Sequence, residues 1–305
     1  MASNFLYRIG VTLAALFVLF ASSESLLAAD APVRVVVSFS ILGDIARQVG
    51  GPDVVVTSLI GPDADAHVFE PNPEQARLLA NAQLFVINGF GLEGWLTRLT
   101  RSAQYRGPVV VVTQSIIPIS TAEAGERTAS PDPHTWQDPR NVVIYAENIT
   151  RGLVGVDPKR AEAYHQRFGR YKSELEALDR RVRDDLGTIP AEKRRVITTH
   201  DAFAYYGKAY GVAFLAAEGI STDSEPSAKT IAALIRQIRR EDIKALFLEN
   251  VSDPRLIETL ARETGTSPGP PLYSDALSRP EGPAPTYIRM IEYNTAALKA
   301  GMLKN

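Results

Sequence analysis

The sequence has no cysteine among its 305 residues. That absence excludes disulfides, thiolate metal sites, CxxC redox motifs and cysteine nucleophiles. It also removes the lipidated cysteine that would anchor an exported protein to a membrane. A dominant charge is lacking too: 33 Lys+Arg against 35 Asp+Glu leave a formal net charge of −2. This argues against nucleic acid, whose binders carry a basic excess. No low-complexity segment and no short repeat is present. Hydrophobic residues make up 45% and charged residues 22%, the mix of a folded soluble protein. A disordered tail, a collagen-like fibre and a multi-span membrane protein are excluded. Histidine is scarce, with four in the chain, so where each one stands carries information.

The first residues read as an export signal. Arg8 precedes the apolar stretch Val11 to Ala21, and small and polar residues follow, ending in Leu27-Ala28-Ala29. A basic start, a short apolar stretch and a small-residue exit mark a cleavable secretory signal. The stretch is short of the ~20 residues that cross a bilayer. Residues 1–29 are therefore expected to be a signal peptide, and the mature chain is expected to be periplasmic and not lipidated. Arg8 and Glu24 cancel, so removing the segment leaves the net charge unchanged.

Beyond the signal, short β-branched runs alternate with helical patterns. The runs are Val33–Val37, Val54–Ile60, Leu84–Ile87 and Val109–Val112, and after Gly187 come Arg195–Thr199, Val212–Ala216, Ala245–Leu248 and a run near Leu272. Helical patterns lie at 74–82, 228–240 and 254–264 and through Ile45 and Val49. This alternation indicates α/β architecture with parallel sheets. Two lobes of about four strands each are expected, an N-terminal lobe at 30–156 and a C-terminal lobe at 188–305. Between them, 157–187 reads as one long helix. Asp157 can cap it, Pro158 sits at its first position and Gly187 can end it. Tyr164, Phe168, Tyr171, Leu175, Leu178, Val182 and Leu186 recur at gaps of three and four, one face of a helix. At 1.5 Å per residue this rod is roughly 43 Å long, enough to brace both lobes. The other reading is a long crossover inside one domain.

Three of the four histidines stand just beyond expected strands: His67, His134 and His200. Asp275 follows the last apolar run. Ligands of open parallel sheets bind outside the carboxyl ends of the strands. Two such ends from each half, facing each other, would bring these four side chains together. Three imidazoles and a carboxylate suit zinc. No short spacing such as HExxH ties them together, so the placement is the argument. Asp275 could otherwise cap a turn, and a lone histidine is more often a surface residue than a ligand. His165 lies mid-helix and is excluded. Asp65, Glu70 and Asp132 are expected to be solvated acids unless they guide cations or orient ligands. Glu249 reads first as a loop or helix-start acid, and otherwise as a base or orienting group in the cleft. Trp136 reads either as a neighbour of the site or as core of the N-terminal half.

The motifs together resemble a known family. DADAHVFEPNPEQARLLANA (63–82), DPHTWQDP (132–139), VITTHDAFAYYGKAYG (196–211), EGISTDSEPSAKTIAALIRQI (218–238) and LYSDALS (272–278) resemble, in order, segments of the zinc/manganese solute-binding proteins of bacterial ABC importers, the ZnuA/TroA-like group. The resemblance covers essentially the whole mature chain. It implies two α/β lobes bridged by a rigid helix, with the metal in the cleft held by His67, His134, His200 and Asp275. It further implies a membrane permease and its cytoplasmic ATPase as partners, a monomer, no nucleic acid and no membrane insertion of the mature chain. Two departures stand out. The histidine-rich loop of many zinc-specific members is absent, since Ser120–Ser130 is short and has no histidine. The lipidated cysteine of Gram-positive relatives is missing too.

At the third ligand position manganese-binding relatives commonly carry glutamate, where this chain has His200. Nitrogen donors suit zinc and added carboxylate oxygen suits manganese. The expected cargo is Zn2+, with Mn2+ the alternative. Two other classes were weighed: an exported zinc hydrolase, which would need an open coordination position and a base, and a surface adhesin, which no repeat or anchor supports.

Overall fold

The computed structural model describes residues 31–121, 130–223 and 226–305, so the expected signal peptide lies outside the described residues. The first half is built on a four-stranded, all-parallel sheet of β1 (Val33–Phe39), β2 (Val54–Ile60), β3 (Leu84–Ile87) and β4 (Val109–Val111), in the order β2-β1-β3-β4. Central β1 is the valine-rich run Val33-Arg-Val-Val-Val, buried on both faces as a covered parallel strand must be. The helices α1 (Ser40–Gly50), α2 (Pro73–Ala80) and α3 (Leu96–Ser102) connect these strands. α2 starts where its chemistry dictates: Asn72 Oδ1 accepts from Glu74 N and Gln75 N, Gln75 Oε1 accepts from Asn72 N, and Pro73 stands at the first turn.

After β4 comes a two-residue antiparallel bracket of β5 (Ser120–Thr121) and β6 (Ser130–Pro131). A helix that the strand-and-helix alternation did not reveal follows, α4 (Pro139–Val156), capped by Asp138. Then comes the long helix. A 3-10 turn at Pro158–Arg160 leads into α5 (Ala161–Gly187), 27 residues long. Asp157 stands at the start of the 3-10 turn rather than of α5 itself, and its carboxylate accepts from Arg160 Nη1 (2.7 Å) and Tyr164 Oη (2.8 Å). Gly187 is the last helical residue. Of the seven periodic apolar positions, all but half-buried Phe168 are fully buried.

The second half carries β7 (Arg195–Thr198), α6 (Ala204–Tyr210), β8 (Ala213–Ala216), α7 (Ala228–Glu241), α8 (Pro254–Thr264) and a terminal α9 (Tyr287–Met302). The four runs expected in this half lie side by side in parallel, but among the described residues only β7 and β8 form an extended pair. The runs at Ala245–Leu248 and Leu272 join through the single bridges Ile197↔Leu246 and Glu249↔Leu272. Hydrogen bonds from Ile197 N to Ala245 O (2.8 Å) and Leu272 N to Leu248 O (2.8 Å) hold them there. Their neighbour order is nonetheless the same as in the first sheet. The chain comes close to the Ala245–Leu248 run at Gly269, whose missing Cβ leaves room for the Phe247 ring.

α5 packs on α1 and α4 of the first half and on α6 and α9 of the second. One apolar core runs beneath it through both halves, and a separate cluster lies between Ile197, Leu246 and the inner faces of α7 and α8. Among the described residues, no helix is long and apolar enough to cross a membrane.

Candidate metal centre

His67 sits in the long connection between β2 and α2. Asp65 Oδ1 accepts from His67 N (2.8 Å), and Trp95 Nε1 donates to Ala66 O (3.2 Å), so the peptide leading into the histidine is pinned at both its N–H and its carbonyl. His134 follows β6. Asp132 Oδ1 accepts from its backbone N and its ring Nδ1, both at 2.8 Å. His200 comes two residues after β7. Glu249 Oε1 accepts from Thr199 N (2.8 Å) and His200 N (2.9 Å), and its Oε2 stands 2.5 Å from His200 Nδ1. Asp275 follows the Leu272 bridge. The loop around it is clamped by Trp136 Nε1 and Gln137 Nε2, which both donate to Ser274 O at 2.8 Å.

These four side chains converge. One ligand atom from each lies within 4.8 Å of every other. His67 Nε2 is 3.1 Å from His134 Nε2 and 3.3 Å from Asp275 Oδ2, and His200 Nε2 is 3.2 Å from Asp275 Oδ2. His134, His200 and Asp275 are fully buried, while the His67 side chain is 6% exposed. Both oxygens of Asp275 and Nε2 of His200 lack a partner of hydrogen-bond geometry. Buried polar atoms left this way are costly unless something else satisfies them, and a divalent cation would do so. The carboxylates of Asp132 and Glu249, set against the Nδ1 atoms, leave Nε2 of His134 and His200 free to donate to an ion. This is the usual support of a metal-ligating imidazole.

The electrostatics match. Burial alone would strip the proton from His200, but the charges of Glu249 and Asp275 outweigh it and raise its pKa well above the usual 6.5. Burial opposes ionisation of Asp275, but His200 and His134 overcome it and hold the carboxyl well below its usual 3.8. The pocket is thus built for positive charge.

The other candidate residues fall into place. His165 is exposed on α5, away from the cluster. Glu70 is exposed, as expected of a solvated acid. Asp65 and Asp132 are not merely solvated, since each binds the backbone of a clustered histidine. Glu249 is not a loop acid but a fully buried partner of His200. Trp136 fills both of its expected roles: it is buried against Phe39 (5.0 Å) and His134 (5.2 Å), and it clamps the Asp275 loop. Gln137 and Ser40, which also hold that loop, were not singled out. Their only sequence signal is proximity to His134 and to the end of β1.

Comparison with known proteins agrees with this architecture. The profile of the family described as "Zinc-uptake complex component A periplasmic" matches residues 35–301. The iron-binding protein YfeA of Yersinia pestis is 34% identical over 268 residues, 88% of this chain and 86% of YfeA. The manganese-binding lipoprotein MntA of Halalkalibacterium halodurans is 31% identical, with 88% of each chain covered. The solved structure of the periplasmic zinc-binding protein TroA from Treponema pallidum superposes with a TM-score of 0.84 at 28% identity, covering 89% of this chain and 99% of TroA. Those names carry iron, manganese and zinc on one fold. The chain therefore belongs to the ZnuA/TroA family of metal-binding substrate-binding proteins of ABC importers.

Proposed function

We propose that this chain captures Zn2+ between its two halves, with His67, His134, His200 and Asp275 as ligands, and delivers it to a membrane permease driven by a cytoplasmic ATPase. The observation that carries this reading is the convergence of three imidazoles and one carboxylate within 4.8 Å in a buried pocket. Three nitrogens and one oxygen suit a borderline ion such as zinc better than manganese, whose preference is for oxygen. Manganese is the second reading, favoured by the relatives named for it. A hydrolase is disfavoured. Four protein ligands leave no open coordination position, and Glu249 is committed to the backbone and ring of His200 rather than to a water.

The rest of the reading follows the sequence. Residues 1–29 direct export, the mature protein is a periplasmic monomer, not lipidated since it has no cysteine, and lobes at 30–156 and 188–305 are linked by 157–187. The test is metal content by mass spectrometry of purified residues 30–305 beside a His200→Ala variant, both stripped and then reloaded with equimolar zinc and manganese. One retained zinc per chain, weakened in the variant, is the expected result. Retained manganese would move the cargo to manganese, and no retained metal would remove the ligand assignment.

A further inference from the structure

The four clustered side chains are not divided evenly between the halves. By chain position Asp275 belongs with His200, but its hydrogen bonds belong elsewhere. Trp136 and Gln137 of the first half hold Ser274 O. Ser40 Oγ of α1 accepts from Leu277 N at 3.0 Å, and Asp63 N donates to Leu277 O at 3.0 Å. Further along, Asp44 Oδ2 accepts from Tyr287 N (2.8 Å), and Tyr287 Oη donates to Trp136 O (2.7 Å). All of these partners lie in the first half, and the side-chain bonds among them are buried. Among the described residues, the hydrogen bonds from the second half to the same stretch are a 3.3 Å contact from Asn250 to Ala276 O and, at its edge, those of Asn294 with Tyr273.

His200 is bound the opposite way. Its backbone and ring are held by Glu249, and its carbonyl accepts from Thr198 Oγ1 and Ala202 N. Every one of these belongs to the second half. The links that tie the His200 side to the first half lie mostly nearer the surface. Among the described residues they include Thr222 to Asp65 (2.6 Å), Asn250 to Asp63 (3.1 Å), Tyr205 Oη to Asp132 O (2.9 Å) and Ile119 N to Tyr205 Oη (2.9 Å).

We infer that the cluster parts as three against one. Residues 274–287, with Asp275, stay docked on the first half beside His67 and His134, and His200 alone leaves with the second half. This rests on the reading of the cluster as a cargo site and specifies how that site opens. Release begins with one histidine withdrawing from an ion still held by three groups, and loading ends with His200 closing over it. Because one core runs beneath α5 through both halves, the opening is a small rotation rather than a wide hinge.

The absence of cysteine allows a clean test. Spin labels placed through Arg101→Cys with Glu281→Cys, and through Arg101→Cys with Arg236→Cys, are all at exposed positions. Distances are measured by pulsed EPR in zinc-free and zinc-loaded protein, with zinc stoichiometry determined on the same samples. The expected result is an Arg101–Glu281 distance constant within about 1 Å and an Arg101–Arg236 distance that shortens on loading by about 2 Å or more. Glu281 moving together with Arg236, or neither distance changing, overturns the three-against-one division while leaving zinc binding intact. A labelled protein and parent chain that take up no zinc overturn the cargo reading and this inference with it.

Discussion

Glu249 makes more contacts to His200 than any expected ion could, and that shapes what its loss does. Substitution to glutamine keeps an acceptor for Thr199 N and His200 N but removes the charge facing Nδ1. Glu249→Gln is expected to lower metal affinity by about 10–100-fold, read by competition with a chromophoric chelator, with little loss of folding. Protonation follows from the same contacts. The folded pKa of His200 is raised, so in the metal-free chain its contribution to stability is fully present below pH 6.5 and is lost as pH rises through the raised value. The depressed Asp275 contributes stability above pH 3.8 that is lost only as pH falls through its lowered value. Metal must expel the His200 proton, so zinc affinity is expected to fall as the solution is acidified, with protons released on binding at neutral pH. Calorimetry in buffers of differing ionisation enthalpy checks this, and the gap in Tm between loaded and metal-free protein should widen as pH rises from 6. The four clustered residues were legible because histidine is scarce and each follows a strand. Their carboxylate partners were not. A lone acid after a strand is solvated by default, and only the fold buries Asp132 and Glu249.

The long helix shows what periodicity can and cannot give. Its apolar positions were readable because a helix this long, with one face buried along its length, sets seven apolar residues at gaps of three and four. α4 has the same character at Val142, Tyr145, Ile149 and Leu153, but it follows the ligand motif at 132–139 with no strand run beside it, and the alternation of strands and helices does not reveal it. In the second sheet, the runs at 245–248 and 272 have strand composition but pair through single bridges. Composition reports β tendency, whereas ladder length depends on partners far away in sequence. Two element-scale outcomes follow. Leu175 is fully buried at the middle of α5, so Leu175→Ala is expected to cost about 2–5 kcal/mol in urea unfolding. Asn72→Ala removes the side-chain acceptor of the α2 capping box, which takes Glu74 N and Gln75 N, and is expected to cost about 1 kcal/mol.

At the scale of the whole molecule, a ligand that binds the folded chain alone stabilises it by mass action. Zinc held at 100 times its Kd is expected to add about 2.7 kcal/mol, seen as a concentration-dependent rise in Tm that His200→Ala blunts. The two-sheet architecture was legible because the same alternation occurs twice. The sharing of one core between the halves was not, since no local pattern tells which face of α5 meets which sheet. The same burial governs exchange kinetics. Only the His67 side chain of the four reaches solvent, and at 6% exposure it offers an incoming chelator almost no foothold. A chelator cannot form a ternary intermediate with an ion it cannot touch. Loss of cargo should therefore be dissociative, with a rate set by the protein's own opening and flat as chelator concentration is raised. Handing over the ion quickly would then require something that acts on the protein rather than on the metal.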